Sequence, residues 1–449
     1  MSVSHTIAAI ATAHGIGSIA IIRLSGERAL EIAKSLTLRQ SIIARYATLS
    51  TLYDANNRLL DEAIVVYFKA PHSFTAEDVV EFQCHGGFIV ARKILQATLD
   101  AGAILAQPGE FSKRAFLNGR IDLSEAEAIA QLIAAQSEDA AAILAKQMKG
   151  SLRHYIEEVR DALLHILAYS EVSIDYAEED LPQDLIDQIH VKLEALQMRL
   201  QHTLEVSKSR SGLMQGFKVS IIGKPNVGKS SLLNALLNYS RAIVSDIAGT
   251  TRDTIEEQIH IGSHLIKIVD TAGIREAGDE IERIGIERSI EAARESDIII
   301  ALFDGSREYD AHDRTILELI HRFEDSKEII VIVSKSDLPQ RFHREALAGF
   351  SPLRLNCKES SEELIAALKT IMDAQNRSDE MMLISTRQID AVSKTLAAIE
   401  ASYEPLRDQE LEMFSFHLNE ALQAIASITR PFENDEMLEK MFGSFCLGK

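Results

Sequence analysis

Tryptophan is absent from this 449-residue chain, and cysteine is nearly so: Cys84, Cys357 and Cys446 are the three thiols, and they stand far apart. So few cysteines exclude a disulfide framework and fit a reducing compartment. No Cys/His cluster has the spacing of a zinc site. No apolar run approaches the ~20 residues of a membrane span. The segment Met1-Ser2-Val3-Ser4-His5-Thr6 lacks the basic region of a signal peptide. A cytoplasmic protein without a membrane segment is the expectation. Positive charge is also short: 47 Lys and Arg face 67 Asp and Glu, a net charge of −20. That counts against a general nucleic-acid coat, because phosphate contacts need Lys and Arg. It leaves room for local basic patches, such as Lys113, Arg114 and Arg120. With 46% hydrophobic and 25% charged residues the composition is globular. A prior of ~150 residues per domain implies roughly two to four domains.

Against these absences stands Gly223-Lys224-Pro225-Asn226-Val227-Gly228-Lys229-Ser230, a complete phosphate-binding loop. An apolar run, Phe217 to Ile222, precedes it, and a helical run, Ser231 to Leu237, follows it. Strand, glycine loop and helix are the context the motif requires. Inward-facing N–H groups and the helix N-terminus hold phosphate anions. Lys229 reaches the β- and γ-phosphates, and Ser230 ligates Mg²⁺.

Further elements follow in order. Asp270-Thr271-Ala272-Gly273 follows the apolar run Leu265 to Val269; an Asp there serves the magnesium shell, and the Gly N–H serves the γ-phosphate. Ser334-Lys335-Ser336-Asp337 stands where GTPases carry N-K-x-D. A carboxylate at Asp337 accepts two hydrogen bonds from guanine and rejects adenine. Ser334 replaces the usual Asn, and its shorter side chain is expected to weaken the tie to the phosphate loop. Leu355-Asn356-Cys357-Lys358 stands where a backbone N–H would meet the guanine oxygen. Ser245-Asp246-Ile247-Ala248-Gly249-Thr250-Thr251-Arg252-Asp253 reads as the first switch, with Thr251 on Mg²⁺. Ras-like proteins orient the attacking water with a Gln, whereas this chain has Ile274. Asn226 and the carbonyl-rich 245–251 loop suggest a monovalent cation in partial compensation, and Glu282 is a candidate for holding the water.

The GTPase segment alternates strands and helices, which makes it α/β. Strand-like runs at 18–24, 62–68 and 78–84, with a helical run at 88–101, make residues 1–118 an α+β domain. Helix dominates from 124 onward, where Ser124 to Glu127 has a capping-box pattern and an Ala-rich stretch runs to about Ala145. Helical pattern continues at 152–172, 184–209, 380–401 and 409–428. The expected chain is multidomain: an N-terminal α+β domain (1–118), a discontinuous α-helical domain (119–214 and 373–449) and an inserted α/β P-loop GTPase domain (215–372).

Charge inside an apolar strand is costly unless paired, so Arg23 and Glu81 read as a possible pair. His85-Gly86-Gly87 reads as a strand end and helix start. Cys446 lies four residues from the terminus, but Gly448 and Lys449 fit a prenylation signal poorly. On its own residues the tail reads as inert.

Together these residues resemble the MnmE (TrmE) family of tRNA-modification GTPases over essentially the full length. The resemblance is carried by IIRLSG at 21–26, PGEFSKRAFLNGRIDLSEAEAIA at 108–130, the phosphate loop continuing through Ser231, DIAGTTRD at 246–253, DTAGIRE at 270–276, ERIGIERS at 282–289 and FCLGK at 445–449. It implies an N-terminal domain that forms a homodimer and binds 5-formyl-tetrahydrofolate through Arg23, Glu81 and Arg120, with Lys449 close by. It implies K⁺ on Asn226, the backbones of Ser245 and Ile247, and Thr250; Mg²⁺ on Ser230 and Thr251; and Glu282 orienting the water. It makes Cys446 functional. The implied partners are tRNA and the flavoprotein MnmG (GidA), in a heterotetramer or larger complex. The implied reaction places carboxymethylaminomethyl or aminomethyl groups on C5 of the wobble uridine. A GTP-driven assembly switch is the competing reading from the nucleotide loops, and the 1–118 domain and Cys446 tail discriminate the two. A membrane GTPase would need an amphipathic basic helix, which is missing.

Overall fold

The computed structural model describes residues 5–13, 15–175, 183–243, 257–269, 290–357, 361–375, 380–430, 435–443, 445 and 448. It divides into two compact units, one made of 1–133, 146–193 and 394–449 and the other of 134–145 and 194–393.

The first unit opens with a six-stranded sheet. Its strands are β1 (Ile7–Ile10), β2 (Ile19–Ser25), β3 (Thr48–Tyr53), β4 (Leu59–Phe68), β5 (Val79–His85) and β6 (Ile104–Leu105). Their order is β3-β4-β5-β2-β1-β6. All neighbours are antiparallel except β1 and β6. Along β4, Ala63, Val65 and Tyr67 are buried between more exposed neighbours, the period-two signature of a half-covered strand. Helices α1 (Ala29–Thr37) and α2 (Phe88–Asp100) cover that face and share a core with Ile22, Leu24, Val65 and Phe82. The strands expected at 18–24, 62–68 and 78–84 and the helix at 88–101 are present; β1, β3 and β6 are additions.

Helix α3 (Glu110–Leu117) leads to α4 (Leu123–Ala134). The capping box sits two residues earlier than the pattern at Ser124 to Glu127 indicated. Asp122 Oδ1 accepts from Glu125 N at 2.8 Å, and Glu125 Oε2 accepts from Asp122 N at 2.9 Å. Ser124 instead donates to Asp122 Oδ1; with Asp122 present, the shorter hydroxyl is not the cap. The Ala-rich stretch is two helices, since α4 ends at Ala134 and α5 (Glu138–Met148) begins afresh. The helical patterns beyond appear as α6 (Ser151–Asp175), α7 (Gln183–Ser209), then, after the second sheet, α12 (Thr386–Arg407) and α13 (Leu411–Ala426). The last helix, α14 (Asp435–Gly443), brings Phe442 against Phe116 of α3, with ring centroids 6.1 Å apart.

The second unit includes the short helix α8 (Ser211–Gln215) and a sheet of β7 (Phe217–Gly223), β8 (Glu257–Ile261), β9 (His264–Val269), β10 (Ile298–Asp304), β11 (Glu328–Ser334) and β12 (Leu353–Leu355). The order is β12-β11-β10-β7-β9-β8. All pairs are parallel except β8 with β9. A parallel sheet covered on both faces needs unbroken apolar strands, and every residue of β10 is buried. Helices α9 (Lys229–Ile243), α10 (Ala311–Phe323) and α11 (Glu362–Gln375) belong to this unit. Register aligns Leu302 with Gly223, Asp304 with Ser334, and Ser334 with Leu355. The carboxyl ends of four strands therefore share one edge, where open α/β sheets bind ligands. Buried His264 joins β9 to two helices: Nε2 lies 2.7 Å from Asp373 Oδ1, and Nδ1 lies 2.8 Å from Asp139 Oδ2.

Candidate nucleotide-binding site

The phosphate loop leaves β7 at Gly223, whose φ is 157°. A Cβ there would stand 2.8 Å from Leu302 O and 2.9 Å from Val227 Cγ1, so the close turn excludes any side chain. Exposed Asn226 holds a left-handed φ of 61°, which Asn tolerates better than most residues. Val227 is fully buried and anchors the loop from within. Lys229 opens α9, and its Nζ donates to Gly223 O at 2.5 Å and Lys224 O at 3.1 Å. Burial pulls the Lys229 pKa down. The ammonium thus waits on two backbone carbonyls at the place where phosphate charge is expected. Ser230 and Ser231 follow in the first turn of α9, and Ser230 is exposed.

Two neighbouring loops converge on the same edge. Ser334 Oγ donates to Val227 O at 2.7 Å and has Phe303 O at 3.1 Å. The short hydroxyl does reach the phosphate loop, because β11 brings its backbone close enough. Lys335 has a left-handed φ of 57°, and its Nζ donates to Asp304 Oδ2 at 2.6 Å. Burial pushes the Asp304 carboxyl up, but bonds from Lys335 and Ser306 outweigh it and hold the pKa below the ordinary value. Asp337 is exposed. Cys357 is buried, and its Sγ lies 3.8 Å from where a Cβ on Gly228 would be. Burial pushes its thiol pKa up, and the charge of Asp337 adds to the effect. The phosphate loop, the 334–337 loop and Cys357 thus lie together at one sheet edge. Ser245, Asp246, Ile247, Ala248, Gly249, Thr250, Thr251, Asp270, Thr271, Ala272, Gly273, Glu282 and Lys358 lie outside the described residues.

In the N-terminal sheet, Arg23 and Glu81 are Cα partners across β2 and β5. Arg23 Nε lies 2.8 Å from Glu81 Oε1, with the side chains 21% and 14% exposed. The guanidinium also rests over Phe74 and Phe111, 5.9 and 5.7 Å from their centroids. The pair read from sequence is therefore formed. Exposed Arg120 follows α3, and among the described residues no ion pair links it to Glu81. Cys446 and Lys449 lie outside the described residues, but Gly448 is buried. Its φ is 90°, and a Cβ there would collide with the carbonyl of Ile10. Ile10 is the partner of Ile22, next to Arg23. At least this point of the tail is docked.

Sequence reasoning missed the contact between His85 and Asp61, Nδ1 to Oδ1 at 2.7 Å. Only an exposed His at a strand end signalled it. Beside it, burial first and Asp61 second push the Cys84 thiol pKa up to about 11. A cavity of about 320 Å³ opens among Ile10, Thr12, Ile19, Gly86, Gly87 and Phe88.

Comparison with known proteins covers both units. The profile of the MnmE helical domain matches residues 123–446. The profile of the GTP-binding protein TrmE N-terminus matches residues 6–120. The tRNA modification GTPase MnmE of Sulfurimonas denitrificans is 69% identical over 444 residues, 99% of each chain. The proteins of the same name from Sulfurovum sp. and Aliarcobacter butzleri are each 56% identical, again over 99% of each chain. Among solved structures, Era bound to MgGDPNP and a 16S ribosomal RNA fragment covers 40% of this chain and 66% of its own at 25% identity. Its TM-score of 0.27 is too slight to bear on function.

Proposed function

The chain belongs to the MnmE family of tRNA modification GTPases and is a GTP-hydrolysing enzyme; from that premise we propose that its hydrolysis drives modification of wobble uridine in certain tRNAs. The observation that carries this reading is 69% identity over 99% of the chain to a tRNA modification GTPase; the convergence of the phosphate loop, Ser334 to Asp337 and Cys357 at one sheet edge supports its GTP-binding part.

The residues fit GTP. Lys229, now on backbone carbonyls, would transfer its donors to the phosphates. Loop N–H groups would take the remaining oxygens. Asp337 would accept from guanine, with Lys335 held over the base by Asp304. Ser230 and Thr251 would hold Mg²⁺, and exposed Asn226 would join Ser245, Ile247 and Thr250 around K⁺. When bound, the two cations supply positive charge to the phosphoryl group as it transfers. Glu282 would orient the attacking water, the role that Ile274 cannot take. Backbone groups and side chains of residues 245–251, 270–273 and Lys358 would complete the nucleotide shell.

The N-terminal domain fits a folate. Arg23, fixed by Glu81 and packed on two aromatic rings, would offer donors to a polar group of the folate. The docked Gly448 supports a tail whose Cys446 and Lys449 reach the same neighbourhood. Arg120 would approach from α3. We assign residues 1–118 to a folate-binding and dimerising domain, 119–214 with 373–449 to a helical domain, and 215–372 to the GTPase. The one-carbon unit of 5-formyl-tetrahydrofolate would end on C5 of the uridine, as an aminomethyl or carboxymethylaminomethyl group, with the flavoprotein MnmG as partner in a heterotetramer or larger complex. Work on tRNA would be in the cytoplasm; among the described residues no helix is long and apolar enough to cross a membrane.

The test is mass spectrometry of wobble uridine from cells lacking the gene, beside cells carrying Cys446→Ser. Loss of the C5 group in both is expected. Unchanged modification in the deletion would leave an assembly switch as the better reading.

A further inference from the structure

Lys224 occupies a position of the phosphate loop that the motif leaves free, yet its side chain is only 5% exposed. Its Nζ lies 2.7 Å from Asp313 Oδ2 and 2.9 Å from Asp310 Oδ2. Both carboxylates belong to the N-terminus of α10. Asp310 is the N-cap and accepts from the backbone N–H groups of His312 and Asp313, while Asp313 Oδ2 also accepts from Asp310 N. One cation thus closes a capping box onto the loop that binds phosphate.

We propose that Lys224 is a positioning residue for nucleotide binding, holding the phosphate loop against α10 and cancelling carboxylate charge that would otherwise repel the phosphates. It is not a phosphate ligand itself, since its ammonium is buried and already engaged by two carboxylates. Its backbone carbonyl accepts from Lys229 Nζ, so the residue that is clamped also holds the phosphate-seeking lysine in place.

Charge makes the clamp more than a strut. The group contains two carboxylates and one ammonium, leaving one negative charge. Among the described residues, Asp313 Oδ1 is buried without a hydrogen-bond partner. Burial pushes the Asp313 carboxyl up despite its bond to Lys224, whereas on Lys224 the two carboxylate bonds outweigh burial and raise the ammonium. The cluster therefore depends on Lys224 for neutralisation. Removing the cation strands two carboxylates, the costly half of a broken buried pair. Because the loop grips phosphates in the diphosphate and triphosphate states alike, the loss belongs to binding and not to the transition state.

The experiment measures Kd for GTP and GDP and kcat for Lys224→Met, Lys224→Arg and the triple variant Lys224→Met, Asp310→Asn, Asp313→Asn. Lys224→Met is expected to weaken both nucleotides about tenfold, with kcat at saturation changed by less than about twofold. Arginine, which offers a fork to two carboxylates, restores most of the affinity. The triple variant, which keeps side-chain amides for the caps, also recovers most of it. Wild-type affinity in Lys224→Met overturns the proposal, as does a triple variant binding no tighter than Lys224→Met. Should the single variant fail to fold, the triple variant and Lys224→Arg decide: near-normal Kd in both supports the clamp, and weak binding in both overturns it.

Discussion

Replacing Ser334 by alanine deletes one hydroxyl at a position only 1% exposed. The hydroxyl has a single proton and two carbonyls within reach, Val227 O at 2.7 Å and Phe303 O at 3.1 Å. It can donate to only one at a time, and the shorter distance assigns the bond to the phosphate loop. A buried neutral hydrogen bond of this kind contributes about 1 kcal/mol, and leaving its acceptor dry raises the loss to about 1–2 kcal/mol. That is a factor of about 5–30. The bond ties the guanine loop to Val227 whether or not a γ-phosphate is present. Ser334→Ala should therefore weaken GTP and GDP equally and leave kcat at saturation nearly unchanged. Titration with fluorescent guanine nucleotides, beside a steady-state hydrolysis assay, measures both. Unchanged affinity for both nucleotides, or a loss confined to GTP, would refute the reasoning.

Potassium should accelerate hydrolysis strongly relative to sodium at equal ionic strength; equal rates would remove the cation assigned to Asn226. Glu282→Ala should slow hydrolysis on the order of a hundredfold while GTP affinity stays close to wild type, and lost affinity would point to a structural role. Cys84, 2% exposed with a thiol pKa raised to about 11 from an ordinary 9.0, should resist alkylation at neutral pH in the folded protein. The unfolded thiol ionises first, so between about pH 9 and 11 the unfolded state holds fewer protons and stability falls as pH rises. Denaturant titrations of wild type and Cys84→Ala across that window check it; identical pH slopes would contradict the assignment.

The legible parts of the molecule were those whose signal is local. The phosphate loop declares itself through glycine spacing between an apolar strand and a helix, and it lies there in the structure. Arg23 and Glu81 were legible for an energetic reason: each is a charge in an apolar strand, and their register across β2 and β5 resolves the cost. What escaped depends on distance along the chain. Nothing near Lys224 announces Asp310 and Asp313, which lie 86 and 89 residues away. His264 likewise meets Asp373 from 109 residues away. That the Ser334 hydroxyl reaches Val227 O depends on the backbone position that β11 supplies, which side-chain length does not reveal. The capping box lies at Asp122 and not at Ser124, because the Asp122 carboxylate is the better acceptor. The tail reads as inert on its own residues, since its seat is set by the contact of buried Gly448 with Ile10, far away in sequence.

The most direct measurement is the wobble-uridine content of tRNA from cells whose only copy of the gene carries Lys229→Ala. That change removes the ammonium now resting on Gly223 O and Lys224 O, and with it the grip on the β- and γ-phosphates. Loss of the C5 modification as complete as in a gene deletion is predicted. Wild-type modification in a variant that no longer hydrolyses GTP would contradict the claim that this GTPase drives the chemistry.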